Sequence, residues 1–122
     1  MNAGVTSEAA PSFTQICAVD ELWEGEMRAF DVNGRAVLVV KLQGDEVVAL
    51  QGTCPHQRIP LHEGTLQGNL LTCRAHLWQF DVTTGRGVNP AECKLARYPV
   101  KIDNGAVWVS VKGITTRAQL LG

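Results

Sequence analysis

The chain has 122 residues, 45% of them apolar and 19% charged, with a formal net charge of −1. That length predicts one domain with a modest core, and the composition is globular rather than disordered. A charge so near zero excludes the basic footprint of a nucleic-acid binder or of a membrane-surface protein.

Residues 1–12 are rich in Ala, Ser and Thr, with no basic start and no apolar run. They predict a flexible extension, not a signal peptide. No segment approaches the roughly 18 apolar residues of a membrane span. Asp20 to Glu24 predicts one helical turn. Asp20, Glu21, Glu24 and Glu26 form an acidic cluster, read as solvated, with electrostatic steering to a partner as the sharper alternative. The Val- and Leu-rich runs Arg35 to Leu42 and Glu46 to Gln51 predict strands, joined by a Gly-first turn at Gly44-Asp45. Asn33-Gly34 predicts a hairpin that pairs Phe30 with Val37. Asn104-Gly105 predicts another, with Ile102 opposite Val107 and Val100 opposite Val109 on one apolar face. Lys101 and Trp108 fall on the other face. Ligand loops interrupt the strands at 52–60 and 73–90, and the last residues, from 114 or 115 on, predict a short helix or tail. Short strands with Gly-rich turns argue for an all-β fold, an antiparallel β-sandwich or small barrel.

The two loops carry the chemistry. The first reads Cys54-Pro-His56 and the second Cys73-Arg-Ala-His76. In strand-like backbone, residues i and i+2 share a face, so Cys-x-His sends a thiol and an imidazole the same way. Two thiolates and two imidazoles, one of each per loop, suit a Rieske-type [2Fe–2S] cluster, in which two His replace two Cys on one of the irons. Structural zinc is the plainer alternative. Its usual order places a Cys pair before a His pair, whereas here the types alternate within each loop. His62 lies six residues beyond His56 and reads as a surface histidine. Cys17 and Cys93 read as small buried or half-buried residues. Two cysteines in metal spacing, with nothing to mark secretion, predict a reducing cytoplasm.

The match extends past the ligands. Cys54-Pro-His-Gln57, Leu61-His-Glu-Gly64, Leu71-Thr-Cys-Arg-Ala-His-Leu-Trp78 and Gly85-Arg-Gly-Val-Asn-Pro90 resemble the Rieske ferredoxins of toluene monooxygenase systems. Trp23 to Met27, Leu95 to Val100 and Val109 to Ile114 continue the likeness, which covers residues 13–114. Ferredoxins of alkene and isoprene monooxygenases are similar. The resemblance implies a Rieske-type sandwich with a cluster-binding subdomain of two ligand loops. It also implies one [2Fe–2S] cluster held by Cys54, His56, Cys73 and His76. The carrier so implied is monomeric when free, has no catalytic residues, and passes one electron at a time from an NADH-dependent reductase to a diiron hydroxylase. No Gly-rich dinucleotide fingerprint suggests that the chain itself binds NADH. The ferredoxin of a ring-hydroxylating dioxygenase is the alternative within the family, and a zinc-stabilised module without redox function the alternative outside it.

Respiratory Rieske proteins join their loops by a disulfide; Ile59 and Ala75 stand at the matching positions here. Where those proteins place hydroxyls that donate to sulfur, this chain has Trp78 and Phe80. The resemblance therefore implies a potential near the low end of the Rieske range, roughly −150 mV. Trp78, Gln57 and Arg74, beside the ligands, are candidates for partner contact or cluster shielding.

Overall fold

The computed structural model describes residues 13–55, 59–74 and 77–111. Eleven strands run through them in order: β1 (Thr14–Ala18), β2 (Met27–Val32), β3 (Arg35–Lys41), β4 (Val47–Gln51), β5 (Thr65–Gln67), β6 (Leu70–Thr72), β7 (Gln79–Asp81), β8 (Gly87–Asn89), β9 (Arg97–Tyr98), β10 (Val100–Asp103) and β11 (Ala106–Val109). They form three antiparallel sheets, ordered β1-β11-β10, β2-β3-β4-β9 and β5-β6-β7-β8. Among the described residues no helix is long and apolar enough to cross a membrane.

β3 explains how the sheets stack. A strand sends alternate side chains to opposite faces, and one buried on both faces reads as a continuous apolar run. Val37, Leu38, Val39 and Val40 are that run, and all four are fully buried. Val37 and Val39 pack with Ala49, Tyr98, Val107 and Val109 in one core. Leu38 and Val40 pack with Leu50, Leu61, Leu71 and Phe80 in the other. The β2-β3-β4-β9 sheet is thus a middle layer, with a scaffold core on one face and the ligand loops on the other.

Two hairpins have the expected register. Phe30 pairs with Val37 around Asn33-Gly34, and Ile102 pairs with Val107 and Val100 with Val109 around Asn104-Gly105. Both turn residues in each have positive φ, as a two-residue turn of this kind requires. On the apolar face of the second hairpin Val107 and Val109 are fully buried and Val100 packs half-buried on the same core, but Ile102 is 46% exposed.

Three expectations are corrected. Lys41 pairs with Val47 and the Leu42 N–H donates to the Glu46 carbonyl at 2.7 Å, so three residues form the loop instead of a two-residue turn at Gly44-Asp45. Gly44, at φ 75 and ψ 24, sits at its tip in the left-handed region that glycine enters without strain. The helical turn near residue 20 is a 3₁₀ turn over Val19–Glu21, shifted toward the N-terminus; the Glu21 carboxylate accepts from the Ala18 N–H at 3.3 Å. The segment 73–90 is not one loop, because β7 and β8 lie inside it and complete the third sheet. Those strands are three residues each, too short to show periodicity. The helix or tail expected near the C-terminus lies outside the described residues, as does the extension 1–12.

Candidate metal centre

Both ligand loops are hairpin tips built to one plan. In the first, the Leu61 N–H donates to the Gly52 carbonyl and the Cys54 N–H to the Ile59 carbonyl, each at 2.9 Å, with Thr53 bridged to Pro60 between them. In the second, β6 and β7 form the stem, and the Cys73 N–H donates to the Trp78 carbonyl at 2.7 Å. Each cysteine therefore closes a stem with the residue five places on, and four residues lie between. Backbone hydrogen bonds thus place both cysteines at the loop tips.

Cys54 and Cys73 are both fully buried and pack in the same core, among Leu38, Leu50, Leu61, Leu71 and Phe80. None of the four cysteines is in a disulfide. Paired buried thiols at two loop tips, with Cys spacing that leaves a histidine in each tip, fit an iron–sulfur group by their donor chemistry. His56, Gln57, Ala75 and His76 lie outside the described residues. His62 is exposed, as expected of a surface histidine. Cys17 belongs to the scaffold core, where burial, and after it Glu21, push its thiol up from the ordinary 9.0 against the opposing pull of Arg28. Cys93 is half-buried against the core that holds Cys54 and Cys73.

The loops are anchored by close backbone approaches. A Cβ on Gly64 would collide with the carbonyl oxygen of Thr72, the residue before Cys73. A Cβ on Gly52 would come within 2.8 Å of the Ala36 carbonyl carbon. At both positions glycine is required by space, not by φ. Gln51 does a related task with its side chain. It is 2% exposed, accepts from the Ala96 N–H at 2.8 Å and donates to the Thr53 carbonyl at 2.9 Å. It thereby ties the strand that leads into Cys54 to the segment before β9. A buried amide unmade on one side costs about 1–3 kcal/mol. Gln51 escapes a reading of the sequence alone; its one signal is a lone amide closing the apolar run of β4.

Arg74 is exposed but engaged, its Nε 2.7 Å from Glu63 Oε1. That pair joins the second ligand loop to the turn that follows the first. Both side chains are about half-exposed, so it contributes no more than about 1 kcal/mol. Trp78 is half-buried against the core that holds Cys54 and Cys73. Leu77, absent from the expected residues, does the opposite. It has φ 60, a left-handed conformation that costs a bulky residue about 1–2 kcal/mol, and its side chain is 65% exposed.

A family model for the Rieske [2Fe–2S] domain matches residues 12–99. The ferredoxin component of an alkene monooxygenase system from Xanthobacter autotrophicus is 45% identical over 101 residues, covering 82% of this chain and 82% of that protein. Among solved structures, the ferredoxin of carbazole 1,9a-dioxygenase from Nocardioides aromaticivorans superposes with a TM-score of 0.75 at 30% identity, covering 81% of this chain and 97% of that one. A chain from a complex of reduced oxygenase and oxidised ferredoxin in carbazole 1,9a-dioxygenase also gives 0.75, at 29% identity, covering 83% and 94%.

Proposed function

The chain belongs to the Rieske [2Fe–2S] domain family, and from that premise we propose that it is the one-electron carrier of a multicomponent monooxygenase. In this reading an NADH-dependent reductase is its donor and a diiron hydroxylase its acceptor. Cys54 and Cys73 hold one iron, and His56 and His76 the other. The bound cluster supplies reversible one-electron exchange.

The protein's own residues set the conditions for that exchange. Leu61, Leu71 and Phe80, all fully buried, keep water from the two thiols. Trp78 packs on the same core and adds to the shield. Phe80 carries no hydroxyl and is buried among apolar neighbours, so it donates no hydrogen bond to sulfur. With less stabilisation of the more negative reduced state, the potential belongs near the low end of the Rieske range, about −150 mV.

The observation that carries this reading is the matched pair of clasped loops, each closing on a fully buried cysteine in one core. The monooxygenase branch is supported by 45% identity to an alkene monooxygenase ferredoxin, against 34% to a biphenyl dioxygenase ferredoxin. An oxygenase as acceptor is supported by the similar ferredoxin found in complex with its own. Four cysteines with no disulfide suit a reducing cytoplasm. The test mixes the reduced holoprotein with the oxygenase component of the Xanthobacter alkene monooxygenase and, separately, with a ring-hydroxylating dioxygenase. Faster oxidation of the carrier and coupled product with the first support the reading. Turnover with the dioxygenase alone transfers the chain to the other branch.

A further inference from the structure

The two ligand loops hang from different sheets. Cys54 follows β4 of the middle sheet, and Cys73 lies between β6 and β7 of the third. The segment from Cys93 to Tyr98 is hydrogen-bonded to both. Its first half follows the edge of the third sheet. There the Gly87 N–H donates to the Cys93 carbonyl at 2.8 Å, Arg86 is bridged to Lys94, and the Leu95 N–H donates to the Gly85 carbonyl at 2.7 Å. A Cβ at Gly87 or Gly85 would collide with the Cys93 or the Leu95 carbonyl oxygen, so this half lies hard against the sheet. The second half ends in β9, where Arg97 pairs with Leu50 and Tyr98 with Ala49 of β4. The strap thus passes from one sheet to the other at Ala96.

Gln51 takes both backbone groups of Ala96. Its N–H donates to the Ala96 carbonyl at 2.9 Å, and its side-chain oxygen accepts from the Ala96 N–H at 2.8 Å. The other arm of the amide, Nε2, donates to the Thr53 carbonyl at 2.9 Å. That carbonyl and the Cys54 N–H belong to one peptide group, and the Cys54 N–H closes the first loop on Ile59. Hydrogen bonds in a chain polarise one another, so the Gln51 amide strengthens the bond that closes the loop. The side chain is 2% exposed, which leaves water little access to replace either arm. A methionine would fill a similar volume without the cost of burying an amide.

We propose that Gln51 is a positioning residue for the iron–sulfur group: it locks the strap to the Cys54 peptide and so fixes the first ligand loop relative to the sheet that carries the second. The proposal rests on the ligand set read above and concerns the grip on the group, not the partner.

Two variants and a control test it. Gln51→Met keeps the length of the side chain and removes both arms. Gln51→Asn keeps both polar groups on a shorter arm that cannot reach Ala96 and Thr53 together, and it serves if the first variant fails to fold. Val39→Ala, in the scaffold core on the other face of the middle sheet, controls for lost stability alone. Each holoprotein is held with an iron chelator at the same interval below its own thermal midpoint, and its potential is titrated. Either Gln51 variant is expected to release iron about tenfold faster than the parent chain, the scale on which groups that orient metal ligands act, and to shift the potential. Val39→Ala is expected to match the parent in both. Gln51 variants that release iron no faster than Val39→Ala would overturn the proposal and leave the ligand set intact. A parent chain that holds zinc and no iron would remove the ligand set, and the proposal with it.

Discussion

The two faces of the middle sheet are built from the same strands for different ends. On one face, Val37, Val39, Ala49 and Tyr98 meet β11 in a core of apolar side chains. On the other, Leu38, Val40 and Leu50 meet a core that contains two cysteines and is finished by backbone clasps, a buried amide and glycines in tight places. The scaffold face owes its packing to apolar burial between two sheets. The site face leaves that work partly to the cofactor, because metal binding is coupled to folding. Adjacent residues on β3 therefore answer to different masters, and substitutions on the two faces should be separable by what they change.

The largest expected effect is Cys73→Ser. Loss of one thiolate should abolish iron incorporation and loosen β5 to β8, while β1, β10 and β11 keep their amide protection. Hydrogen exchange with iron analysis on the same sample checks both halves. Uniform loss of protection across the three sheets would show that the faces are one cooperative unit.

Next come the neighbours on β3. Leu38→Ala should cost about 2–5 kcal/mol and Val39→Ala about 2 kcal/mol, from lost burial plus the cavity left behind. Only Leu38→Ala, on the side of the two cysteines, should also shift the visible spectrum or the potential. Denaturant midpoints paired with a redox titration decide it. Equal redox shifts from both variants would erase the distinction between the faces.

The smallest effect is a pH dependence confined to the scaffold face. Burial raises the Cys17 thiol above its ordinary 9.0, and burial likewise raises Tyr98 above its ordinary 10.0 against the opposing pull of Arg35. The folded chain thus keeps both protons to higher pH than the unfolded chain. Their contribution is whole below pH 9 and is lost as pH climbs through the raised folded values. Stability should decline from about pH 9 upward, and Cys17→Ala should make the first part of the decline shallower. An unaltered slope in that variant would mean Cys17 is not linked to folding.

Much of this division could be read before the fold was known. The run Val37 to Val40 is apolar at every position, as a strand covered on both faces must be. Asn33-Gly34 and Asn104-Gly105 fixed their registers through turn chemistry alone. Gly44-Asp45 misled because a glycine of positive φ suits the tip of a three-residue loop as well as a two-residue turn. The third sheet was hidden by strands only three residues long, whose partners are set by Gly68-Asn69 and by the bulge at Val88. At the candidate site, spacing singled out the two cysteines that the fold buries in one core. Gln51, Gly64 and Leu77 were not legible, since their roles rest on what approaches them from distant parts of the chain: Ala96, Thr72 and, for Leu77, the solvent.

The central claim is the ligand set, two cysteines and two histidines, and the most direct measurement is pulsed EPR on the reduced holoprotein grown with ¹⁵N-labelled histidine. The account predicts two strongly coupled ¹⁵N nuclei, one of them lost in His56→Cys and one in His76→Cys, with the coupling unchanged in His62→Ala. A spectrum without coupled histidine nitrogen, or one altered by the loss of His62, would contradict it.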